Sequence, residues 1–350
     1  MWAYVLFFFF VFTGAATTLK TKNSNWYFVF TAVLLWLLIG LRDISVGVDT
    51  YGYVSEFTSI AKRSTIEMWK LTLEYKDPLY ILISWIISRI STNYTLYLLF
   101  WAFIPAASLY ITFRREFDDR AECLISILVF FLLGLFAFYV AGIRQTTAIS
   151  IILLSFKSIS EKNLIHFLLY VLVASLFHSS AIIFIIAFPV WFIRFRWWYL
   201  FILGALLYFV SFVALDSIFV FTEYFFGDRF ENYSIGYEST QSNSALIMQF
   251  ILLGICVVKA KTLIKKDNSN STLLLLAIIG VCFQSMAGML AEISRISFYF
   301  CVFDLILVPR ALKEFGRSNT RLLIAAFSVV ALIYLFFLTS ANLPEYQIAF

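Results

Sequence analysis

The sequence predicts an all-α, polytopic integral membrane protein with about 12–14 transmembrane helices. The first observation is composition, because 62% of the 350 residues are hydrophobic and only 13% are charged. Soluble domains are about 45–50% apolar and about 25% charged. The second is size, since a single soluble core stops growing at about 250–300 residues and cannot bury this much apolar surface. The third is the mean hydropathy, which is +0.90.

The candidate helices are the apolar runs between charged residues, because a spanning helix needs about 20 apolar residues. In chain order they are 2–18, 26–41, 78–90, 94–113, 121–141, 143–157, 164–178, 180–193, 197–215, 245–259, 272–290, 295–309 and 321–339. The runs 78–90 and 143–157 are short for a crossing and are expected to be tilted, half-length or re-entrant. The pattern predicts one membrane domain, 1–350, with longer polar loops at 42–77 and 216–244.

Basic residues in short loops predict the orientation, because such loops stay in the cytoplasm. The residues that we place there are Lys20, Lys22, Arg114, Arg115, Arg120, Lys157, Lys162, Arg194, Arg196, Lys259, Lys261, Lys265, Lys266, Arg310, Lys313, Arg317 and Arg321. Two apolar runs, 78–90 and 94–113, separate the stretch 42–77 from the cytoplasmic loop at Arg114, so two full crossings would place 42–77 in the cytoplasm too. The basic residues before the run 26–41 require the opposite side. If the run 78–90 does not fully cross, this conflict disappears and 42–77 joins the outer face. In the alternative, every run crosses and this stretch is cytoplasmic.

Under the first topology, most of the unusual polar residues collect on the outer face. They are Arg42, Asp43, Asp49, Arg144, Gln145, His178, Glu292, Arg295 and Tyr299. Ionisable residues at membrane depth are costly and usually mark a function. Arginine presents a planar fork that matches phosphate oxygens in pairs, and a carboxylate or imidazole can take a proton from a sugar hydroxyl. The set predicts recognition of a diphosphate beside an acceptor hydroxyl.

Several of these residues also have a structural explanation. Arg42 ends a helix and can snorkel to lipid headgroups, Asp43 can pair with it, and Asp49 can cap the next helix. A lone histidine at a helix end, such as His178, is more often an interfacial residue. Glu292 lies three residues before an arginine, and the two can form a plain ion pair on a helix.

The sequence predicts no metal, no cofactor and no nucleic-acid partner. It contains no DxD pair and no cluster of His and Cys with metal-ligand spacing. The four cysteines lie in or beside apolar runs, as small buried hydrophobic residues do. The net charge of +5 is spread over the ends of apolar runs and forms no basic patch.

Five blocks follow one another along most of the chain: GLRDISVGVDTYGY, YKDPLYILISWI, AGIRQTTAISIILLS, LVASLFHSSAIIF and EISRISFYFCVFDLILVP. In combination they resemble the EpsG family of polytopic bacterial membrane proteins. These are Wzy-type polymerases of O-antigen, capsule and exopolysaccharide repeat units. The family's positions correspond here to Arg42, Asp43, Gly47, Asp49, Arg144, Gln145, His178, Ser179, Arg295, Tyr299 and Phe300.

The resemblance implies a polymerase that joins undecaprenyl-diphosphate-linked oligosaccharide repeat units, for lipopolysaccharide or another surface polysaccharide. The reaction is expected at the outer face of the bacterial cytoplasmic (inner) membrane. The fold is expected to be related to the lipid-dependent glycosyltransferases of the C type. Membrane lipids and a Wzz-like chain-length co-polymerase are the implied partners.

The predicted reaction is a single inverting displacement at the anomeric carbon without a metal. The candidates for binding diphosphate and sugar are Arg42, Arg144, Gln145, Arg295 and Tyr299. The candidates for the catalytic acid or base are Asp43, Asp49, His178 and Glu292, and the sequence does not select among them.

Three other functions remain open at this stage. A lipid-linked oligosaccharide flippase would line its path with charge across the whole bilayer depth, whereas the charges here gather near one face. An O-antigen ligase would have one large outer loop between late helices, and 216–244 is only modest in length. A non-catalytic scaffold is the third alternative.

Overall fold

The protein is described by a computed structural model that covers residues 2–17, 24–212, 244–286, 291–315, 326–338 and 345–349. These residues form helices joined by short turns, and they contain no β-strand. Among the described residues, Arg42 and Ile348 pair through an isolated antiparallel β-bridge. The predicted all-α fold class is confirmed.

The helices follow most of the predicted apolar runs. The first eleven are α1 (Trp2–Thr17), α2 (Asn25–Gly40), α3 (Thr50–Ala61), α4 (Thr65–Glu74), α5 (Pro78–Ile90), α6 (Tyr94–Glu116), α7 (Arg120–Leu132), α8 (Leu135–Ala141), α9 (Ile143–Leu154), α10 (Phe156–Ser160) and α11 (Leu164–Phe177). After a 3-10 helix over Ser179–Ile186 come α12 (Ala187–Val190), α13 (Tyr199–Phe212), α14 (Ser244–Val258), α15 (Ala260–Lys266), α16 (Ser269–Ser285), α17 (Ala291–Cys301) and α18 (Asp304–Lys313). Residues 326–333 are helical and lead into a π-helical turn, Tyr334–Leu338.

Helix length limits which elements can cross a bilayer alone. Within the described ranges, α6, with 23 residues, is the one helix both long and apolar enough. Two bent pairs pass the same test together: α7 with α8, bent by 66°, and α14 with α15, bent by 63°. Other apolar helices have 10–17 residues, fewer than the about 20 that a straight crossing needs. The number of crossings stays a prediction.

The basic loops that the sequence groups together meet at one end of the helix bundle. Arg310 in α18 donates from Nη2 to Glu116 at the end of α6, at 2.7 Å. Lys313 donates to Asp118 and to Glu122, each at 3.1 Å. We call this the basic end, and these ion pairs tie α18 to the turn between α6 and α7.

The opposite end of the bundle holds Arg42 and Arg144, and we call it the arginine end. Helix α2 starts at the basic end, where Ser24 Oγ donates to a backbone carbonyl of the α6–α7 turn at 3.3 Å, and it ends before Arg42. Helix α9 leads from Arg144 to α10, where Phe156 lies under the Arg310 guanidinium at 5.5 Å. The two ends are therefore separated by the lengths of α2 and of α9 with α10.

Helix α5 does not cross between the two ends. It begins after Asp77, which pairs with Arg144 at 3.0 Å. It leads directly into α6, whose first residue, Tyr94, lies with its hydroxyl 3.5 Å from Asp43. Both ends of α5 lie at the arginine end, which agrees with the topology in which the run 78–90 is not a full crossing.

The two polar stretches differ from simple loops. The stretch 42–77 lies at the arginine end and contains two short helices, α3 and α4, that the search for apolar runs does not detect because they are partly polar. The stretch 216–244 lies outside the described residues except for its last residue, Ser244.

The turn between α2 and α3 requires glycine at position 47. Gly47 has a φ of +89°, and an added Cβ would lie 2.8 Å from the Val140 carbonyl oxygen. Gly47→Ala is therefore expected to destabilise the protein by about 1–3 kcal/mol. The check is the fraction of detergent-solubilised protein that stays monodisperse after heating.

Gly52→Ala is the matched control, because Gly52 lies in α3 and its added Cβ would have no atom within 4 Å apart from its chain neighbours and the backbone of its own helix. Alanine in a helix interior is favoured by about 0.5–1 kcal/mol over glycine. Equal thermal behaviour of the two variants would contradict the positive-φ turn at Gly47.

Candidate functional site

Asp77 lies at the centre of the polar groups at the arginine end. It is the residue before Pro78, which starts α5, and its side chain is 0% exposed. Oδ2 accepts a hydrogen bond from Arg144 Nη1 at 3.0 Å, and Oδ1 accepts one from the Ser179 backbone N–H at 3.0 Å. His178 Nδ1 lies 3.4 Å from Oδ2. One buried carboxylate thus joins the starts of α5, of α9 and of the 3-10 helix.

Asp77 is held as a carboxylate by these partners. Burial alone would raise its pKa, but the contact with His178, the hydrogen bond from Ser179 and the charge of Arg144 outweigh burial and lower the pKa. Asp77 was not among the predicted site residues, although it lies in the block YKDPLY. The available signal was an acid before a proline that starts a helix, a common arrangement with many structural uses.

Arg144 is positioned by a break in the helix and by three tyrosine rings. The backbone becomes extended at Gly142, between α8 and α9, so Arg144 lies in the first turn of α9. Its guanidinium carbon lies 5.6, 5.8 and 5.5 Å from the ring centres of Tyr53, Tyr75 and Tyr80. Nε is buried and has no hydrogen-bond partner among the described residues. The aromatic faces stabilise the positive charge of the guanidinium, and they do not provide an acceptor for its Nε–H.

Glu56 fixes two of the three tyrosines around Arg144. Its two carboxylate oxygens accept hydrogen bonds from the hydroxyls of Tyr75, at 2.7 Å, and Tyr80, at 2.9 Å. The Tyr75 hydroxyl also accepts a hydrogen bond from Arg144 Nη1 at 3.1 Å. Glu56 lies in α3, inside the polar stretch 42–77, and no pattern in the sequence marked it.

Gln145, Arg295 and Tyr299 extend the site toward α17. Gln145 Nε2 donates to the backbone carbonyl of Arg295 at 3.0 Å. The hydroxyls of Tyr299 and Ser180 lie 3.0 Å apart, so α17 also contacts the 3-10 helix that follows His178. The structure therefore brings α9, the His178 segment and α17 together, as the predicted site requires.

Arg42 lies near this cluster, but its side chain is buried and bonds to groups in the turn around it. It is 1% exposed, and its Nη1 donates to the Ile39 carbonyl at 2.5 Å while Nε donates to Thr50 Oγ1 at 3.3 Å. Nη2 is buried and has no hydrogen-bond partner in the described part of the chain. Tyr53 interacts electrostatically with both Arg42 and Arg144. Arg42 is buried and does not snorkel to headgroups.

The C-terminal segment covers Arg42. The backbone N–H of Asp43 donates to the Gln347 carbonyl at 2.9 Å, and that of Ala349 donates to the Leu41 carbonyl at 3.0 Å. The Tyr346 hydroxyl donates to the Leu38 carbonyl at 2.8 Å. These bonds satisfy backbone groups at the end of α2 that have no partner within the helix.

Two of the predicted carboxylates, Asp43 and Asp49, form no hydrogen bond or ion pair with Arg144. Asp43 accepts hydrogen bonds from the Ser45 backbone N–H (3.0 Å) and hydroxyl (2.7 Å), which hold its pKa below the ordinary value. Asp49 is exposed at the position before α3 and makes no side-chain hydrogen bond to the end of that helix. Glu292 belongs to α17, but its side chain lies outside what the structure describes.

Metal-ligating groups are not clustered in the described ranges. No three residues of the types His, Cys, Asp and Glu meet there in an arrangement that could hold a metal ion. The four cysteines are free thiols, and three of them are buried. The ionisable groups that the structure brings together at the site are instead arginines, tyrosines, one histidine and two carboxylates.

The comparison with protein families decides the family. A family model described as the EpsG family matches residues 25–349, nearly the whole chain. The chain belongs to the EpsG family. EpsG is a family of Wzy-type polymerases, which supports a role in polymerising polysaccharide repeat units and a membrane location for this EpsG protein.

No curated protein and no solved structure matches this EpsG chain. The relation of its fold to the C-type glycosyltransferases therefore stays a prediction. All the blocks that carried the resemblance lie within the matched range, and so do all the residues of the cluster around Asp77.

Proposed function

We propose that this EpsG protein transfers a glycan from undecaprenyl diphosphate to a new lipid-linked repeat unit, at the arginine end of the bundle. The observation that carries the proposal is the buried Asp77, which joins Arg144, His178 and Ser179. A buried carboxylate that orients a cation and an imidazole is typical of sites that bind an anion and move a proton. The arginine end would face outward, opposite the basic end.

Arg144 and Arg295 are the proposed ligands of the diphosphate. Arg144 has a buried Nε without a partner among the described residues, and its other contacts preorganise the guanidinium before a ligand arrives. Preorganised donors stabilise the charge that develops on a leaving group. Gln145 sets the distance between α9 and α17 through its bond to the Arg295 carbonyl. The positive charge of the buried Arg42 would stabilise the negative charge of the diphosphate at a distance, without direct contact.

His178 is the proposed general base. Nδ1 lies toward Asp77, so Nε2 is the nitrogen available to take a proton from the acceptor hydroxyl. The acceptor oxygen then forms a bond to the anomeric carbon as the bond from that carbon to the diphosphate oxygen breaks. The proton ends on His178 Nε2, and undecaprenyl diphosphate leaves with inversion at the anomeric carbon. Tyr299 is retained as a candidate for contact to the sugars, and Asp49 and Glu292 as alternative candidates for the base.

The test of this function is the glycan that accumulates when the gene is deleted from its bacterium. A polymerase defect is expected to leave carrier lipid or lipid A core that bears one repeat unit, and wild-type protein should restore long chains. Complete loss of surface glycan would instead indicate the flippase, and polymer that accumulates on its lipid carrier would indicate the ligase. Either outcome would overturn the proposal.

Asp77→Asn tests whether the buried carboxylate orients the site. Asparagine can still accept the Ser179 N–H but has no charge for Arg144 or His178. We expect the transfer rate to fall by about 10–100-fold, as loss of an orienting partner does at other sites. The measurement is the length of product made by purified protein in lipid nanodiscs.

Asp118→Asn is the matched control, because Asp118 also pairs with a cation, Lys313, but is exposed at the basic end. That variant is expected to polymerise normally. Full polymerase activity in Asp77→Asn would remove Asp77 from the proposed role.

A further inference from the structure

Helix α4 presents a narrow apolar face to the outside of the molecule. Ile66, Trp69 and Leu73 are 73%, 63% and 72% exposed, and their spacing of three and four residues places them on one side of the helix. Met68 is buried and lies on a different side, and α4 packs against α5. The helix therefore has one face toward the bundle and a second apolar face that no described residue covers.

Basic residues surround this apolar face. Lys62 and Arg63 precede the helix, Lys70 lies beside the exposed stripe, and Lys76 follows the helix; all four are exposed. The acids of the helix are Glu67 and Glu74, and Glu67 is engaged with Ser64 in a capping box. The balance over 62–76 is four cations against two anions, which complements a negatively charged surface.

The length of α4 and its neighbours identify the surface that it fits. Ten residues span only about 15 Å, so α4 cannot cross a bilayer core of about 30 Å. Arg89 near the end of α5 donates to the Arg63 carbonyl at 2.6 Å, which places the start of α4 beside the exposed apolar side chains Ile86 and Ile90. The apolar face thus continues the apolar exterior of the bundle, where a membrane protein meets lipid.

We propose that α4 lies in the plane of the membrane, in the headgroup layer of the leaflet at the arginine end. The side chains of Ile66, Trp69 and Leu73 enter the acyl boundary, and the basic residues contact anionic lipid phosphates. A short helix with an apolar face, a tryptophan and flanking cations is typical of this position. Because α4 ends just before Tyr75 and Asp77, lipid contact would hold the segment that carries two partners of Arg144.

The experiment measures the depth of spin labels in the full-length protein, reconstituted in nanodiscs of phosphatidylethanolamine with phosphatidylglycerol. Labels are attached to cysteines placed at positions 69 and 73, and, as matched controls on the same helix, at positions 67 and 74. We expect labels at 69 and 73 to collide severalfold more with oxygen, and severalfold less with a water-soluble nickel chelate, than the control labels. Wild-type protein treated with the same spin-label reagent corrects for labelling of the native cysteines.

Equal exposure of all four labels to the nickel chelate would overturn the proposal and would indicate a solvated face or one that awaits a protein partner. The lipid charge is tested by replacing phosphatidylglycerol with phosphatidylcholine. Labels at 69 and 73 are expected to lie less deep in the neutral nanodiscs, and an unchanged depth would contradict the role of the basic residues. Both readouts measure the depth of the labels and do not depend on sugar transfer. Failure of this proposal can therefore be distinguished from failure of the proposed polymerase function.

Discussion

Replacing Arg144 with alanine is expected to abolish long-chain polymer and to lower the transfer rate by about 10²–10³-fold. The guanidinium is the preorganised group that would neutralise the diphosphate as it departs, and it already has tyrosine rings and Asp77 in place around it. The measurement is the ladder of lipid-linked products formed in nanodiscs from the natural repeat unit. Arg114→Ala, which removes an exposed arginine at the basic end, is expected to leave the ladder unchanged.

A second variant separates function from folding. Removing one partner of a buried ion pair costs about 3–5 kcal/mol, so Arg144→Ala could lose activity through loss of structure alone. Arg144→Lys keeps a positive charge beside Asp77 but lacks the planar fork that binds two phosphate oxygens. We expect Arg144→Lys to insert and remain folded but to make only short products. Full-length polymer from a folded Arg144→Lys protein would show that the fork does not bind the diphosphate.

His178→Ala is expected to lower the transfer rate by about 10²–10⁴-fold, the usual contribution of a general base. Because His178 is proposed to act on the acceptor hydroxyl, the variant should still bind undecaprenyl diphosphate as wild type does. The measurement pairs the initial rate of repeat-unit joining with the affinity for undecaprenyl diphosphate.

His166→Ala is the matched control for His178→Ala. His166 is exposed in the first turn of α11, the same helix that ends before His178. It is expected to retain the wild-type rate. A His178→Ala protein that polymerises at the wild-type rate would contradict this role and would leave the predicted carboxylates Asp43, Asp49 and Glu292 as candidates for the base.

The fold class and the grouping of loops could be predicted from the sequence because both follow from local patterns. Apolar runs mark helices, and basic residues mark their ends, so the ion pairs of Arg310 and Lys313 join loops that were already assigned to one face. Helix α4 was not predicted, and α3 was anticipated only as a helix that Asp49 could cap, because both helices are partly polar and shorter than a crossing. The short run 78–90 was predicted to be unusual, and the paths of α5 and α6 agree with that.

The site could be predicted only in part. Arg144, Gln145, His178 and Tyr299 lie in recognisable blocks, and the structure places them close together. Asp77 was missed because its partners lie 67 and 102 residues away in the chain, a separation that no spacing in a single sequence reveals. Asp43 became a candidate because it follows an arginine, and its side chain accepts hydrogen bonds from Ser45 in the local turn, a contact that a single sequence does not reveal.

The most direct test of the central claim is the affinity of the purified protein in nanodiscs for undecaprenyl diphosphate, compared between wild type and Arg144→Gln. This ligand is the leaving group whatever the sugars are, so the measurement does not depend on the repeat unit. We expect wild type to bind this ligand and Arg144→Gln to lose at least about tenfold in affinity, which corresponds to about 1.4 kcal/mol. Equal affinity of the two folded proteins would contradict the assignment of a diphosphate site to the arginine end.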